Sequence, residues 1–169
     1  MISRKVCMLG GYAVGKTSLV RQFVHGVFSE KYLTTIGVKI DKKVLFVGDT
    51  ELTLVLWDLA GENGYEKVRL SYLRGASGYL LVVDGTRPAS LEMATSVQVK
   101  AQETLGDVPF LLLTNKVDLR DEWSIAESQL DVLRERGWRV LPTSAKDGTG
   151  VEQAFLQIAA AILVSEGSR

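Results

Sequence analysis

Short apolar runs alternate with helical patterns along the whole chain. Strands are predicted over residues 4–9, 38–47, 51–58, 78–84, 109–114 and 138–142. The runs at 78–84 (GYLLVVD) and 109–114 (PFLLLT) are almost continuously apolar, which is typical of parallel strands covered on both faces. Gly48 and Asp49 separate the second run from the third, and this dipeptide predicts a hairpin turn.

Helical patterns occupy the segments between the strands. They cover residues 16–26, 66–74, 90–105, 124–136 and about 150–164. Ser90 and Ser124 are the predicted N-caps of the third and fourth helices, and Gly137 is predicted to stop the fourth. The last helix presents one apolar face, formed by Val151, Phe155, Ile158 and Ile162.

The alternation predicts an α/β fold with a mostly parallel six-stranded sheet, helices on both faces and one antiparallel strand from the hairpin. No repeat or linker interrupts the pattern, so residues 1–169 are expected to form one domain. Ligands of such sheets bind at the carboxyl ends of the strands. The polar motifs of this chain all fall at those ends.

Charge and cysteine content narrow the functional classes. Lys+Arg and Asp+Glu both number 20, so the chain lacks the basic excess of a general binder of nucleic acid or membrane surfaces, although this total does not exclude a local basic patch. The single cysteine, Cys7, cannot form an internal disulfide and lies in an apolar run, which indicates a core residue in a reducing cytosol. The sequence shows no signal peptide, no membrane-spanning stretch and no C-terminal cysteine for prenylation. We therefore expect a cytoplasmic protein without an intrinsic membrane anchor.

A phosphate-binding loop is predicted over residues 10–17, which read GGYAVGKT and match G-x-x-x-x-G-K-[ST] between a strand and a helix. Its glycines let successive N–H groups turn towards phosphate oxygens, and the helix N-terminus adds positive potential. Lys16 is expected to reach the β- and γ-phosphates, and the Thr17 hydroxyl to bind Mg²⁺. The alternative is a glycine-rich turn with a chance Lys-Thr pair. The loop alone does not distinguish ATP from GTP.

Two polar motifs follow the late strands, NKVD at 115–118 and TSAK at 143–146. A carboxylate can accept hydrogen bonds from the N1–H and N2 amine of guanine together, and adenine offers no such pair, so Asp118 is the predicted guanine-selecting residue. Asn115 can bond the base and brace the loops, and the Ala145 N–H is expected to donate to guanine O6. The lysine stems of both motifs are expected to cover the ring faces. Alone, NKVD is equally a surface turn, and a P-loop ATPase or kinase is the competing function that Asp118 disfavours.

Five motifs in this order resemble the Ras superfamily of small GTPases, nearest to its Rab and Rho branches. They are residues 10–17, 32–37 (YLTTIG), 57–61 (WDLAG), 115–118 and 144–146 (SAK). The resemblance implies the G domain of a P-loop NTPase, a monomeric molecular switch that binds GTP or GDP with Mg²⁺ and hydrolyses GTP. The missing lipid anchor suits a prokaryotic member or the core domain of a longer protein.

The resemblance also implies roles for single residues. The implied Mg²⁺ ligands are Thr17, Thr35 and Asp58. The Gly61 N–H would bond the γ-phosphate, and Phe28 would stack on guanine, although by position alone it is equally a core residue at a helix end. The implied nucleotide-binding positions are Ala13, Val14, Gly15, Lys16, Thr17, Ser18, Phe28, Thr35, Gly61, Asn115, Lys116, Asp118, Ser144, Ala145 and Lys146. Residues 28–38 and 59–74 are the implied switches, which contact effector and regulator proteins.

Two positions depart from the family's hydrolytic pattern. Glu62 stands where the family usually has the glutamine that orients the attacking water, and a carboxylate cannot donate to the γ-phosphate. Tyr12 stands where many relatives carry a small residue. Over the γ-phosphate its ring would obstruct an arginine finger and its hydroxyl would supply a hydrogen-bond donor in cis. The alternative is a ring that lies on the protein surface, away from the phosphate. The implied catalytic positions are Lys16, Gly61, Glu62 and Tyr12. We expect slow hydrolysis, and the alternative is a GTP-binding scaffold with little or no turnover.

Overall fold

The computed structural model describes residues 2–29, 37–59 and 70–168. Its strands are β1 (Ile2–Gly10), β2 (Val38–Val47), β3 (Thr50–Leu59), β4 (Gly78–Asp84), β5 (Phe110–Asn115) and β6 (Val140–Thr143). Its α-helices are α1 (Lys16–His25), α2 (Ala89–Leu105), α3 (Glu127–Glu135) and α4 (Val151–Gly167). None of the described helices is both long and apolar enough to cross a bilayer.

The strands form one sheet in the order β2-β3-β1-β4-β5-β6. Strand β2 runs antiparallel to β3, and the other neighbouring pairs are parallel. The hairpin pairs Val47 with Thr50, so Gly48 and Asp49 form a two-residue turn in which Gly48 has a φ of 60°. The predicted fold class and hairpin are therefore confirmed.

Apolar side chains on both faces of the sheet hold the helices in place. On one face α1 and α4 cover the sheet, and the rings of Phe23 and Phe155 stack with centroids 4.0 Å apart. On the other face α2 and α3 cover the alternate strand residues. All of β4 is buried, which explains why its sequence is apolar without alternation. The predicted apolar face of α4 lies in the core, with Val151, Phe155, Ile158 and Ile162 buried.

The predicted N-cap at Ser90 is wrong. Helix α2 begins at Ala89, and the residue that caps it is Pro88, whose φ of −55° already suits a helix. The Ser90 hydroxyl instead accepts a hydrogen bond from the Asp84 N–H at 2.9 Å. This serine therefore fixes the end of β4 rather than the start of α2.

The predicted N-cap at Ser124 is also wrong, because α3 begins three residues later at Glu127. The Ser124 N–H donates to the Gly85 carbonyl at 2.8 Å, which ties this backbone to the β4–α2 loop. The predicted stop is confirmed, since α3 ends just before Gly137, whose φ is 91°. Of the helix predicted at 66–74, residues 70–74 are described, and Leu70–Leu73 forms a 3₁₀ turn.

The buried thiol of Cys7 gives a first prediction. Cys7 is 0% exposed, as expected for a core residue, and its burial raises the pKa of the thiol to about 12, although Lys5 opposes the shift. We expect a disulfide reagent at pH 8 to label Cys7 only after unfolding. Since the unfolded thiol ionises near pH 9 and the folded one does not, the free energy of unfolding should fall as pH rises from about 9 towards 12. Labelling of the native protein at the rate of the unfolded protein would contradict this.

Candidate functional site

The described motif residues converge at one edge of the sheet, where β1, β4, β5 and β6 end. The phosphate loop leaves β1 at Gly10 and enters α1 at Lys16. The NKVD motif begins at Asn115, the last residue of β5, and the TSAK motif at Thr143, the last residue of β6. Parallel strands place their carboxyl ends side by side, so separate motifs form a single surface.

Two glycines shape the phosphate loop. Gly10 has a φ of 146° and Gly15 a φ of 104°. A Cβ on Gly10 would collide with the Val82 carbonyl oxygen, and one on Gly15 with the Asn115 amide nitrogen. The loop therefore passes too close to β4 and β5 for a side chain at either position.

The Lys16 ammonium lies inside the loop. Lys16 is 7% exposed, and its Nζ donates to the carbonyl oxygens of Gly10 and Gly11 at 3.3 and 2.8 Å. Burial lowers the pKa of Lys16 to about 8; the Asp58 carboxylate opposes this shift and the Arg87 guanidinium adds to it. A phosphate group at the loop would supply negative charge that favours the protonated lysine.

Thr17 and Asp58 meet between the start of α1 and the end of β3. The Thr17 Oγ1 donates to Asp58 Oδ2 at 2.5 Å, and Asp58 is 1% exposed. A hydroxyl and a carboxylate are hard oxygen donors, the kind that Mg²⁺ prefers. The two residues therefore fit the predicted metal role.

The Asn115 side chain joins the phosphate loop to the base-reading motifs. It is 1% exposed; its Nδ2 donates to the Val14 carbonyl at 3.0 Å, and its Oδ1 accepts from the Thr143 hydroxyl at 3.1 Å. The two loops are thus one side chain apart, as the binding of a single nucleotide to both requires.

Asp118 is held by the neighbouring TSAK motif. The Ser144 Oγ donates to Asp118 Oδ1 at 2.7 Å and accepts from the Asp147 N–H at 3.1 Å. Gln22 of α1 donates to the Ala145 carbonyl at 3.0 Å, which fixes the same loop from the other side. A carboxylate has about four acceptor positions, so Asp118 keeps capacity for a ligand.

Backbone strain coincides with these loops. Among the described residues other than glycine, only Ala13 and Lys116 have a positive φ, 61° and 73°. The Lys116 Nζ donates to the Ala13 carbonyl at 3.2 Å and pairs with Asp84 at 2.8 Å. Such strain persists where the surroundings hold it, and it clusters at functional sites.

The remaining described positions lie around this edge or on its surface. Phe28 is 38% exposed and follows the end of α1, so the reading of it as a core residue is wrong. Tyr12 is 42% exposed. Ser18 lies half-buried in the first turn of α1, and Lys146 is exposed. Thr35, Gly61, Glu62 and most of both implied switches lie outside the described residues.

Sequence reasoning missed a charged cluster after β4. The Asp84 side chain is 2% exposed and accepts from Arg87 Nε at 3.1 Å and from the Thr86 hydroxyl at 2.6 Å. Burial opposes its ionisation, but the hydrogen bonds from Lys116 and Thr86 outweigh burial and lower the pKa of Asp84. The signal was present in the sequence, because DGTR at 84–87 follows a buried strand at the same edge.

The chain is similar in sequence to known proteins over nearly its whole length. The model of the Ras family matches residues 5–164. Ras-related protein Rab-13 of Canis lupus familiaris is 34% identical over 167 residues, which cover 98% of this chain and 82% of that protein. Ras-related protein Rab-7b of Homo sapiens is 34% identical over 166 residues, which cover 96% of this chain and 83% of that protein. Ras-related protein Rab-7a of Paramecium octaurelia is 34% identical over 172 residues, which cover 96% of this chain and 82% of that protein.

Proposed function

Because this chain belongs to the Ras family of small GTP-binding switch proteins, we propose that it binds GTP and GDP with Mg²⁺ and hydrolyses GTP slowly. The observation that carries the proposal is the Asn115 bridge, one buried side chain bonded to Val14 of the phosphate loop and to Thr143 beside the base-reading motif. This arrangement supports one ligand with a purine at one end and phosphates at the other.

The phosphates would bind at the loop between β1 and α1. The Lys16 ammonium, already buried there, would exchange its bonds to the Gly10 and Gly11 carbonyls for bonds to phosphate oxygens. Thr17 and Asp58 would hold Mg²⁺, with Thr35 as a third ligand. The metal, when bound, supplies electrostatic stabilisation of the negative charge on the phosphate oxygens.

The base would bind between the NKVD and TSAK motifs. Asp118, oriented by Ser144, would accept from guanine N1–H and N2. The Ala145 N–H would donate to O6, and the stems of Lys116 and Lys146 would cover the ring faces. Phe28, exposed beyond α1, is available to stack on guanine from the side.

Glu62 and Tyr12 are the two positions at which this chain departs from the family's hydrolytic pattern. Glu62 can accept a hydrogen bond from the attacking water but adds negative charge near the γ-phosphate, which we propose makes turnover slow. The second candidate function, a GTP-binding scaffold without useful turnover, is favoured by the same Glu62 if repulsion moves its carboxylate away. Tyr12, being exposed, can cover the phosphates or point into solvent.

Single-turnover hydrolysis of preloaded GTP separates these two functions. We expect measurable phosphate release from the wild type and about tenfold faster release from Glu62→Gln, because the amide restores one hydrogen bond in the transition state. Glu122→Gln, a substitution of an exposed glutamate, is the matched control and should leave the rate unchanged. If the wild type releases no phosphate while GTP stays bound, the scaffold function is correct, and phosphate release by Glu62→Gln then identifies Glu62 as its cause. If Tyr12→Gly leaves intrinsic and stimulated rates unchanged, Tyr12 has no part in hydrolysis.

Partner proteins complete the proposal. Residues 28–38 and 59–74 would present one surface with GTP bound and another with GDP bound, and effector and regulator proteins would distinguish them. We propose that the chain acts as a monomer in the cytoplasm.

A further inference from the structure

Arg87, like Lys116, donates a hydrogen bond to a backbone carbonyl of the phosphate loop. The Arg87 Nη2 donates to the Tyr12 carbonyl at 2.6 Å, while its Nε donates to Asp84 Oδ2 at 3.1 Å. Arg87 lies in the turn between β4 and α2, which belongs to none of the five motifs. One planar guanidinium thus connects a buried carboxylate to the phosphate-loop backbone.

This contact completes a series along the loop. Three successive carbonyls each accept from a different side chain, Tyr12 from Arg87, Ala13 from Lys116 and Val14 from Asn115. The described peptide bonds are all trans, so each N–H points opposite to the carbonyl of the same peptide unit. Holding the three carbonyls outward therefore turns the N–H groups of Ala13, Val14 and Gly15 to the other side of the loop, where phosphate oxygens can accept from them.

Asp84 holds Arg87 ready for this contact. Its side chain is 2% exposed, and its carboxylate accepts hydrogen bonds from the side chains of Arg87, Lys116 and Thr86. Its backbone is fixed as well, since the Asp84 N–H donates to the Ser90 hydroxyl at 2.9 Å. The same hydroxyl oxygen lies 2.7 Å from the Arg87 carbonyl oxygen and 3.0 Å from that of Asp84. A guanidinium anchored on a rigid carboxylate loses little further entropy when it binds the Tyr12 carbonyl.

We propose that Arg87 is a positioning residue for nucleotide binding, which orients the peptide between Tyr12 and Ala13 so that the Ala13 N–H faces the phosphates. The inference rests on the proposed binding of GTP and GDP. It adds a residue outside the motifs that sets how tightly the phosphates are held and how fast they leave.

A merely structural ion pair would behave differently. The Arg87 side chain is 45% exposed, so its pairing with Asp84 alone adds little to the free energy of unfolding. Arg134 offers a matched comparison: its side chain is 39% exposed, and it pairs with Glu127 and Asp131 of α3, away from the loop.

The test compares the wild type with Arg87→Ala, Arg87→Lys and the control Arg134→Ala. Dissociation of a fluorescent GDP analogue gives the release rate, and displacement titrations give the affinities for GDP and GMP. We expect Arg87→Ala to release GDP about five- to tenfold faster and to lose more affinity for GDP than for GMP, since GMP lacks a phosphate that the loop would hold. Arg87→Lys should lie between Ala and wild type because one ammonium cannot serve Asp84 and Tyr12 with the same geometry.

The outcomes separate the inference from the function on which it rests. A wild type that does not bind GDP overturns the proposed function. A wild type that binds GDP, with an Arg87→Ala release rate equal to that of Arg134→Ala, overturns the role of Arg87 alone. Equal losses for GDP and GMP together with a lower melting temperature would show a structural role only. Should Arg87→Ala not fold, the release rate and the GDP-to-GMP ratio of Arg87→Lys decide in the same way.

Discussion

Replacing Asp118 with asparagine is expected to lower the affinity for GDP by about 10³-fold or more and to transfer the preference to xanthosine diphosphate. A carboxylate accepts from both N1–H and N2 of guanine, whereas an amide presents one acceptor and one donor. Xanthine has an oxygen in place of the N2 amine, so the amide matches it. Sites built to hydrogen-bond a polar group discriminate by about 10⁴–10⁵ against a ligand that leaves them unpaired.

The fold should survive this substitution, which makes the result interpretable. The Ser144 hydroxyl donates to Asp118 Oδ1, and a hydroxyl can equally bond either atom of an amide. Asp121→Asn, three residues along and exposed, is the matched control and should bind GDP like the wild type. The affinities of the wild type and both variants for GDP, xanthosine diphosphate and ADP are measured by calorimetric titration. An Asp118→Asn protein that still prefers guanine, or a wild type that binds ADP equally, would refute the assignment.

Substituting methionine for Lys16 is expected to reduce GDP affinity by about 10²–10⁴-fold without lowering the stability of the nucleotide-free protein. The loss of affinity follows from the removal of charge-assisted hydrogen bonds to phosphate oxygens. Stability is spared because burial already disfavours the Lys16 charge, as the fall of its pKa to about 8 indicates. Methionine fills nearly the same space and has no charge to bury.

Thermal unfolding and GDP titration of the same samples test whether affinity falls while stability is kept. Lys100→Met, a substitution on α2, serves as the control and should change neither quantity strongly. If Lys16→Met melts well below the wild type in the absence of nucleotide, the ammonium contributes to the fold itself. If it binds GDP as tightly as before, Lys16 is not the phosphate-binding residue.

The strands were predictable because each one produces a pattern of apolar residues or a turn signal within its own short segment of sequence. Strand β4 is apolar at nearly every position because helices cover both of its faces, and the turn at Gly48 and Asp49 fixes the hairpin register. The helix starts were less predictable because distant contacts decide them. Ser124 has the side chain of an N-cap, but its N–H is held by Gly85 on another loop.

The site divides in the same way. Lys16, Asn115 and Asp118 belong to motifs whose spacing carries the chemistry, and the structure brings their loops together. Arg87 was missed because its partner at the loop is the backbone carbonyl of Tyr12, 75 residues away, and a carbonyl has no residue type to recognise. Strand order alone could have directed attention to Asp84, since it ends β4 at the same edge.

The open end of the β2–β3 hairpin indicates where a partner protein would have to bind. Val38 on β2 is paired with Leu59 on β3, so the chain enters and leaves these two strands at points about 5 Å apart. Those residues border the two stretches that we propose respond to the γ-phosphate. A partner protein that distinguishes the two nucleotide states, as we propose, would therefore meet the attachment points of both stretches at one corner of the sheet.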